Sequence, residues 1–358
     1  MVASNIPDVA KVYRLPACKD QYTDATALRV LDEPVELPTK GQVLVKLHAA
    51  SLNFRDLAIS RKAFPGDYPA DLIPLSDGAG EIIAIGEDVS RFSIGDRVVN
   101  TFFENWVEGP TKVEYHAKAR GGTVHGVLAQ YRLFPEAELV SIPEYLSFEE
   151  AATLPCTGVT AYNALFSRSP LTPNSSVLVL GTGGFSMTAL QLAKAAGSRV
   201  YLTSSSDEKI KAAIEKFGAD GGVNYRTTPH WAADLRKLTD GHGVDHVLEI
   251  GGAGTLLQSI QSASANGNVY LLGASLSALE SQPAVTSVIA HAIFGLNLII
   301  QIHGIYVGSR EMQEDLITFM TEHNIHPVID KVFDFDHVVD AFAYQSNGPY
   351  MGKVVISI

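Results

Sequence analysis

The sequence predicts an α/β protein: a β-rich domain interrupted by a domain of alternating strands and helices that builds a doubly wound parallel sheet. Three observations predict it. The first third is dense in β-branched residues punctuated by glycines. From residue 177 onward short apolar runs alternate with helical segments, and the end of the chain becomes strand-like again. At about 150 residues per domain, a chain of 358 residues has room for two. The expected boundaries are 1–150 for the first domain, 151–308 for the second, and 309–358 returning to the first.

Each element follows from its pattern. Gln42–His48 alternates polar and apolar side chains, the period of a half-buried strand. Gly80–Ile85 and Asp96–Thr101 read the same way, with Gly78, Gly80, Gly86 and Gly95 marking turns. Ser147-Phe148-Glu149-Glu150 has the form of a capping box, and predicts a helix running on to Phe166. Past Pro170 and Pro173, strands are expected at Val177–Leu180, Arg199–Thr203, Gly221–Asn224, Val244–Ile250 and Asn268–Leu272, with helices at Ser186–Ala196 and Asp207–Phe217. Such alternation means parallel strands covered on both faces. A helix at Glu311–His323 and strands at Val332–Phe335 and Lys353–Ile358 close the chain.

Composition narrows the classes. Hydrophobic residues make up 46% and charged residues 18%, below the roughly 25% charged of ordinary soluble domains, which excludes a disordered chain. Lys and Arg number 27 against 39 Asp and Glu, a formal charge of −12. Without a basic run or an aromatic-interleaved basic patch, nucleic acid is not an expected partner, and the acidity serves solubility. Cys18 and Cys156 are too few for a disulfide framework or a cysteine-rich structural zinc site. Met1–Asn5 lacks the pattern of a signal peptide. The most apolar stretch, Val285–Ile305, carries His291, Asn297, Gln301 and His303 and reads as buried helix and strand, not a membrane span. The expectation is a soluble cytoplasmic protein.

The clearest motif is a glycine loop. Val177–Leu180 leads into Gly181-Thr182-Gly183-Gly184-Phe185-Ser186 and then a helix. In strand–loop–helix context such glycines allow a tight turn and close backbone approach to a dinucleotide pyrophosphate resting on the helix N-terminus. Ser186 stands where the third glycine of G-x-G-x-x-G would fall; it crowds the packing slightly but can still donate a hydrogen bond. A site for NAD usually has an acid at the end of the second strand, to hold the ribose diol. Here that end reads Thr203-Ser204-Ser205-Ser206, with Lys209 one turn on. Hydroxyls and a cation suit a 2′-phosphate, so NADPH is expected over NADH. Asp207 and Glu208 are the objection, and the first turn of a helix, exposed, is where they are expected.

Together with this loop, six further stretches resemble a known family. They are Ser51-Leu52-Asn53-Phe54-Arg55-Asp56, Asp77-Gly78-Ala79-Gly80-Glu81, Gly95-Asp96-Arg97-Val98, Ala152-Thr153-Leu154-Pro155-Cys156-Thr157-Gly158-Val159-Thr160-Ala161-Tyr162 and Gly352-Lys353-Val354-Val355, with Gly243-Val244-Asp245 between. They resemble the medium-chain dehydrogenase/reductase superfamily, in its zinc-free, quinone-oxidoreductase-like or zinc-type alcohol dehydrogenase-like branch. The resemblance implies a GroES-like catalytic domain, a Rossmann-type cofactor domain and an active-site cleft between them. It also implies a homodimer or larger homo-oligomer paired through the edge of the cofactor-domain sheet, for which Ile293–Ile305 is the expected edge. Zinc-dependent relatives hold a metal with an early Cys, a His and a later Cys. Against those ligands this chain sets the region of Asn53, Leu75-Ser76-Asp77 and Cys156, so only Cys156 matches and no zinc is expected. Without a Lewis acid, a conjugated carbonyl (an enone) or a quinone is an easier hydride acceptor than a plain ketone, because the charge delocalises. The expected activity is therefore NADPH-dependent, zinc-independent reduction of such a substrate. An NADP-dependent alcohol dehydrogenase or ketone reductase, a non-catalytic NADPH-binding protein and a specialised biosynthetic enzyme stay open.

By the same resemblance, Asn53 bonds the nicotinamide ribose or the substrate oxygen, the alternative being a turn-capping asparagine. Tyr68 lies where related reductases place a substrate-side tyrosine; as a proton donor it must be positioned by neighbours, and a loop anchor is the alternative. Thr160 is expected at the nicotinamide, as is the backbone at Gly273, Tyr306 and Val307. Gly181, Thr182, Gly183, Gly184, Phe185 and Ser186 hold the pyrophosphate. Ser204, Ser205, Lys209 and Tyr225 surround the adenosine phosphate, and Lys353 is grouped with the cofactor-binding residues. Phe102–His125, with Phe102, Phe103, Trp106 and Tyr115, is either an aromatic substrate pocket or a packed lobe. His242, His246, His323, His326 and His337 are read as surface or internally satisfied histidines, and Cys156 as a small buried side chain with no nucleophilic role.

Overall fold

The computed structural model describes residues 6–16, 24–64, 66–272 and 299–358. Pro65, Gly273, Cys18 and most of the apolar run Val285–Ile305 lie outside the described residues. The chain forms two compact units, Met1–Val159 with Val307–Ile358, and Thr160–Tyr306.

Along the chain, β1 (Val9–Arg14) and β2 (Arg29–Pro34) pair as an antiparallel ribbon. Then come β3 (Gln42–Ser51), α1 (Phe54–Ser60), β4 (Asp77–Ile85), β5 (Arg97–Asn100), β6 (Tyr131–Pro135), β7 (Leu139–Ser141) and α2 (Phe148–Ala151). The second unit holds β8 (Ser176–Leu180), α3 (Gly184–Ala195), β9 (Arg199–Ser204), α4 (Asp207–Phe217), β10 (Gly221–Asn224), α5 (Trp231–Leu238), β11 (Val244–Glu249), α6 (Leu256–Ser262), β12 (Ala263–Leu271) and β13 (Gln301–Gly304). The chain ends with α7 (Arg310–Glu322), β14 (Ile329–Asp334), α8 (Val338–Asn347) and β15 (Lys353–Ser357) in the first unit.

In the first unit a seven-stranded sheet runs β14-β15-β3-β4-β5-β7, with β6 also on β3. The long β3 organises it: Gln42–Lys46 pair with β6, Ala49–Ser51 with β15, and its other edge with β4. That centrality explains why β3 is buried on both faces, with Val43, Leu44, Val45 and Leu47 all inside, although its sequence alternates as a half-buried strand does. Gly80 is required where β4 crosses it, because a Cβ there would stand 2.1 Å from the Lys46 carbonyl oxygen. The core joins Val43, Val45 and Leu47 to Ile82, Val98, Phe134, Val354 and Ile356.

Phe102, Phe103 and Trp106 form a packed lobe, not an open pocket. They are 1%, 1% and 4% exposed. Phe103 meets Phe102 edge to face and Trp106 at a tilt, and Trp106 stacks on Tyr115. Buried Arg120, paired with Glu138, lies over Phe134 beneath it.

The second unit is a six-stranded, wholly parallel sheet in the order β10-β9-β8-β11-β12-β13. Counted within the unit, this is 3-2-1-4-5-6, the doubly wound dinucleotide-binding order, whose strand order reverses beside the first strand. Among the described strands, β13 stands last in the order. His246 is buried and satisfied: it stacks on Tyr270 and shares a hydrogen bond with its hydroxyl, and His303 stacks on the same ring. Burial pushes the His246 pKa down, so the ring is neutral.

Two expectations need correction. The helix expected to run from residue 147 to Phe166 opens with the capping box, Ser147 Oγ accepting from Glu150 N–H and Glu150 accepting from Ser147 N–H. It is then interrupted by wide π turns at Leu154–Gly158 and Asn163–Ser167. The unit boundary also falls after Val159, not after 150, because Leu154–Gly158 packs on β4 and α7, where Gly158 would meet Leu316 if it carried a side chain. Among the described residues no helix is long and apolar enough to cross a membrane.

Because Phe103 is enclosed, Phe103→Ala is expected to cost about 3–5 kcal/mol through the cavity it leaves. Val113→Ala, at a position 87% exposed, is expected to change stability by no more than about 0.5 kcal/mol. Thermal denaturation of the two variants checks the packed-lobe description.

Candidate functional site

The first unit gathers its polar side chains at one place, where β3, β4, α1, β15 and the Leu154–Gly158 turn meet. Asp77, at the start of β4, is fully buried. Its Oδ2 accepts from Asn53 Nδ2 at 2.9 Å, from Cys156 N–H at 3.3 Å and from Ser51 Oγ at 3.4 Å, while Oδ1 accepts from Ser76 Oγ at 2.5 Å. Lys353, 3% exposed at the start of β15, brings its Nζ to 3.8 Å from the same carboxylate. That ammonium donates to Leu52 O and to Asn53 Oδ1, both at 2.7 Å. Burial lowers the Lys353 pKa while Asp77 raises it. Burial, and then Asp77, push the Cys156 thiol up, so it is a poor nucleophile at neutral pH.

Asn53 therefore does two jobs. Its extended backbone opens α1, with its N–H donated to Asp56 Oδ2 at 2.7 Å. Its side chain bridges Lys353 and Asp77. One hydrogen of Nδ2 is spent on Asp77; the other has only a long approach to Ser76 Oγ, 3.4 Å. Asp56 is buried with one oxygen lacking any hydrogen bond, and Arg55 NH1 approaches that oxygen only to 3.9 Å. Burial outweighs Arg55 and raises the Asp56 pKa from 3.8 to about 6.

The sequence-predicted residues divide unevenly. Lys353, expected among the cofactor-binding residues, lies in the first unit, where its ammonium donates to Leu52 and Asn53 and stands 3.8 Å from Asp77. Tyr68 stands apart from the Asn53 cluster. Its ring packs against Leu15, Ile59 and Leu72, and its hydroxyl donates to the Phe64 carbonyl, the arrangement of a loop anchor. Asp77, Asp56 and Ser76 were not singled out, although charged and hydroxyl side chains inside runs such as Leu75-Ser76-Asp77-Gly78-Ala79 were the available signal.

In the second unit, β8 is buried throughout and ends at Gly181, whose φ of 75° suits glycine and around which a Cβ would meet nothing within 4 Å. Gly181 N–H donates to Thr203 O, tying the loop to β9. Gly183 caps α3, which opens at Gly184 and Phe185. Ser186 is buried and donates to Leu180 O at 2.6 Å, so its hydroxyl pins helix to strand where the motif's third glycine would allow close packing. Thr182 is 6% and Thr160 7% exposed.

At the end of β9, Ser204 Oγ accepts from Ser206 N–H and Ser204 O accepts from Tyr225 N–H. Ser205 and Lys209 are half-buried, and Tyr225 is 43% exposed. The two acids are exposed and engaged: Glu208 accepts from Ser206 Oγ at 2.5 Å, and Asp207 from Asn224 Nδ2 at 3.0 Å. At the other chain crossing, Tyr306 leads into Val307, whose φ of 52° is rare for a β-branched residue. Strain of this kind gathers at functional sites. Gly273 lies outside the described residues.

Comparison with known proteins gives this arrangement its class. Residues 39–144 match the alcohol dehydrogenase GroES-like domain, and residues 184–322 the zinc-binding dehydrogenase domain. A zinc-type alcohol dehydrogenase-like protein of Schizosaccharomyces pombe is 46% identical over 332 residues, covering 91% of this chain and 94% of that protein. The 2-methylene-furan-3-one reductase of Solanum lycopersicum is 30% identical over 344 residues, 94% of this chain and 77% of that one. The crystal structure of a putative alcohol dehydrogenase from Sinorhizobium meliloti superposes with a TM-score of 0.87 at 33% identity, covering 99% and 100% of the two chains. The chain belongs to the medium-chain dehydrogenase/reductase superfamily. It is an oxidoreductase of that family with an NAD(P)-binding domain.

Asp56 gives a signed prediction. The folded chain holds its proton more tightly than the unfolded chain does, so stability falls as pH rises from about 4 to about 6. The loss is on the order of 3 kcal/mol once both states are ionised. Denaturation across that window is expected to show the slope in the wild type and a reduced slope in Asp56→Asn.

Proposed function

We propose that this chain is an NADPH-dependent reductase that delivers hydride to a conjugated carbonyl or quinone without zinc. The observation that carries the reading is the Asn53–Asp77–Cys156 cluster at the positions set against the zinc ligands of relatives, with Lys353 facing it. Catalytic zinc takes three protein ligands. Here the set offers a single thiol, the carboxylate already carries four hydrogen bonds, and a buried ammonium faces it. Among the described residues no group of three or more His, Cys, Asp and Glu is placed to hold a metal. This donor set does not fit zinc.

The cofactor domain fits a phosphorylated dinucleotide. The open Gly181 turn and the N-terminus of α3 receive a pyrophosphate. Ser204, Ser205, Lys209 and Tyr225 offer hydroxyls and a cation to a 2′-phosphate, while Asp207 and Glu208 are held elsewhere. NADPH, when bound, supplies the hydride. The chain's own part is to bind, orient and stabilise. The weakly held Nδ2 hydrogen of Asn53 donates to the substrate oxygen as charge develops there, and conjugation spreads that charge so that a hydrogen bond suffices. With the Tyr68 hydroxyl donated to Phe64, the final proton comes from water.

Purified, chelator-treated protein, followed by loss of NADPH absorbance, is expected to turn over enones and quinones and to leave matched saturated ketones untouched. Turnover of saturated carbonyls alone, or activity abolished by chelation, overturns the reading. The first outcome would favour an NADP-dependent alcohol dehydrogenase, the reading that the names of the S. pombe and S. meliloti proteins favour. Lys209→Ala is expected to raise the KM for NADPH about tenfold, the equivalent of about 1.4 kcal/mol, with little change for NADH.

A further inference from the structure

The carboxamide of Asn53 can sit only one way round. An ammonium, which only donates, faces Oδ1, and a carboxylate, which only accepts, faces Nδ2. Lys353 reaches this point from β15, some 300 residues along the chain from Asn53, and also holds the Leu52 carbonyl in the turn that starts α1. Its ammonium draws electron density from Oδ1, which makes the Nδ2 hydrogens stronger donors. Ser76 Oγ gives its own hydrogen to Asp77, so it meets Nδ2 only as an acceptor, at a long 3.4 Å.

Resting on the reading of Asn53 as the donor to the substrate oxygen, we infer that Lys353 is the positioning residue of the catalytic unit: an internal cation that orients and polarises the Asn53 carboxamide. Its role is indirect: the ammonium donates to Leu52 O and Asn53 Oδ1, both at 2.7 Å, and stands 3.8 Å from the Asp77 carboxylate. With no cation at this point the carboxamide loses the charged donor that holds Oδ1 at 2.7 Å, and Asp77 becomes a buried charge without its counter-ion.

The test compares wild type, Lys353→Met and Lys353→Ala, reading three quantities: NADPH affinity by fluorescence, kcat against KM for an enone, and the thermal midpoint. Lys353→Met is expected to lower kcat roughly tenfold to a hundredfold, the scale of a misplaced catalytic group, with NADPH affinity within about twofold of wild type. For Lys353→Ala the added probe is n-propylammonium, which replaces the atoms lost beyond Cβ. It is expected to restore both the thermal midpoint and kcat. The neutral isostere n-propanol, and sodium chloride at equal ionic strength, are expected to restore neither. A Lys353→Ala chain that folds only with n-propylammonium present and then turns over also supports the inference. A Lys353→Met enzyme with wild-type kcat overturns it. So does rescue of the thermal midpoint without rescue of kcat, which would leave Lys353 a purely structural role. Failure of the Asn53 reading looks different: wild type itself reduces no enone, whatever the variants do.

Discussion

The burial of the Asp77 carboxylate is the constraint around which the catalytic unit is arranged. A carboxylate at zero exposure is tolerated only when donors surround it, and its partners come from segments far apart in sequence: Ser51 at the end of β3, Asn53 just after it, Cys156 in a π turn, and the Lys353 counter-ion on β15. Meeting that requirement brings the strand ends into one place. Ion pairs of this kind contribute little net stability, because taking both charges out of water offsets their attraction. What the pair provides is geometry, since any displacement of one segment leaves a charge or an amide without its partner. The Leu154–Gly158 π turn fits the same logic, as it presents the Cys156 N–H to Asp77 where a regular helix would direct that N–H to a carbonyl of its own preceding turn.

The cofactor unit depends on a different kind of constraint. Its central strand β8 is buried along its whole length, and the reversal of strand order beside it is where the glycine loop falls. Gly181 takes a left-handed conformation there, and Ser186 fastens the following helix to the strand it left. The two units thus solve opposite problems: one encloses charge, the other keeps backbone N–H groups open.

How far this could be read from the sequence follows from the range of the interactions. Local patterns were legible. The strand Gly221–Asn224 and the helix Asp207–Phe217 have the ends their residues predict, because turn and capping residues define them. The capping box at Ser147 and the glycine loop are as local, and both formed. The candidate site was legible only in part. Asn53 and Lys353 both stood out, yet their partnership spans the chain, and no spacing rule connects them. Tyr68 was legible only as a choice between two roles, for a related reason. A phenol between two prolines looks poised in the sequence, but its hydroxyl satisfies a carbonyl four residues back. The continuous helix to Phe166 failed because wide turns depend on tertiary hydrogen bonds, which helical periodicity does not encode.

An internal ammonium differs from a metal in what it lets a site do. A bound Lewis acid contacts the substrate oxygen directly and can polarise an isolated carbonyl. On the proposed reading the Lys353 ammonium, bonded to Asn53, acts at one remove, through a single N–H whose contribution is that of a hydrogen bond, not of a metal–oxygen contact. A site limited to that strength works best when the substrate carries most of the developing charge itself, as an enone or quinone does. On the proposed reading, the substrate class and the replacement of ligands by a buried ion pair are therefore one adaptation. The chain folds its cation into the core, where it needs no capture from solution, and on that reading the reaction is confined to acceptors that can manage without direct contact with it.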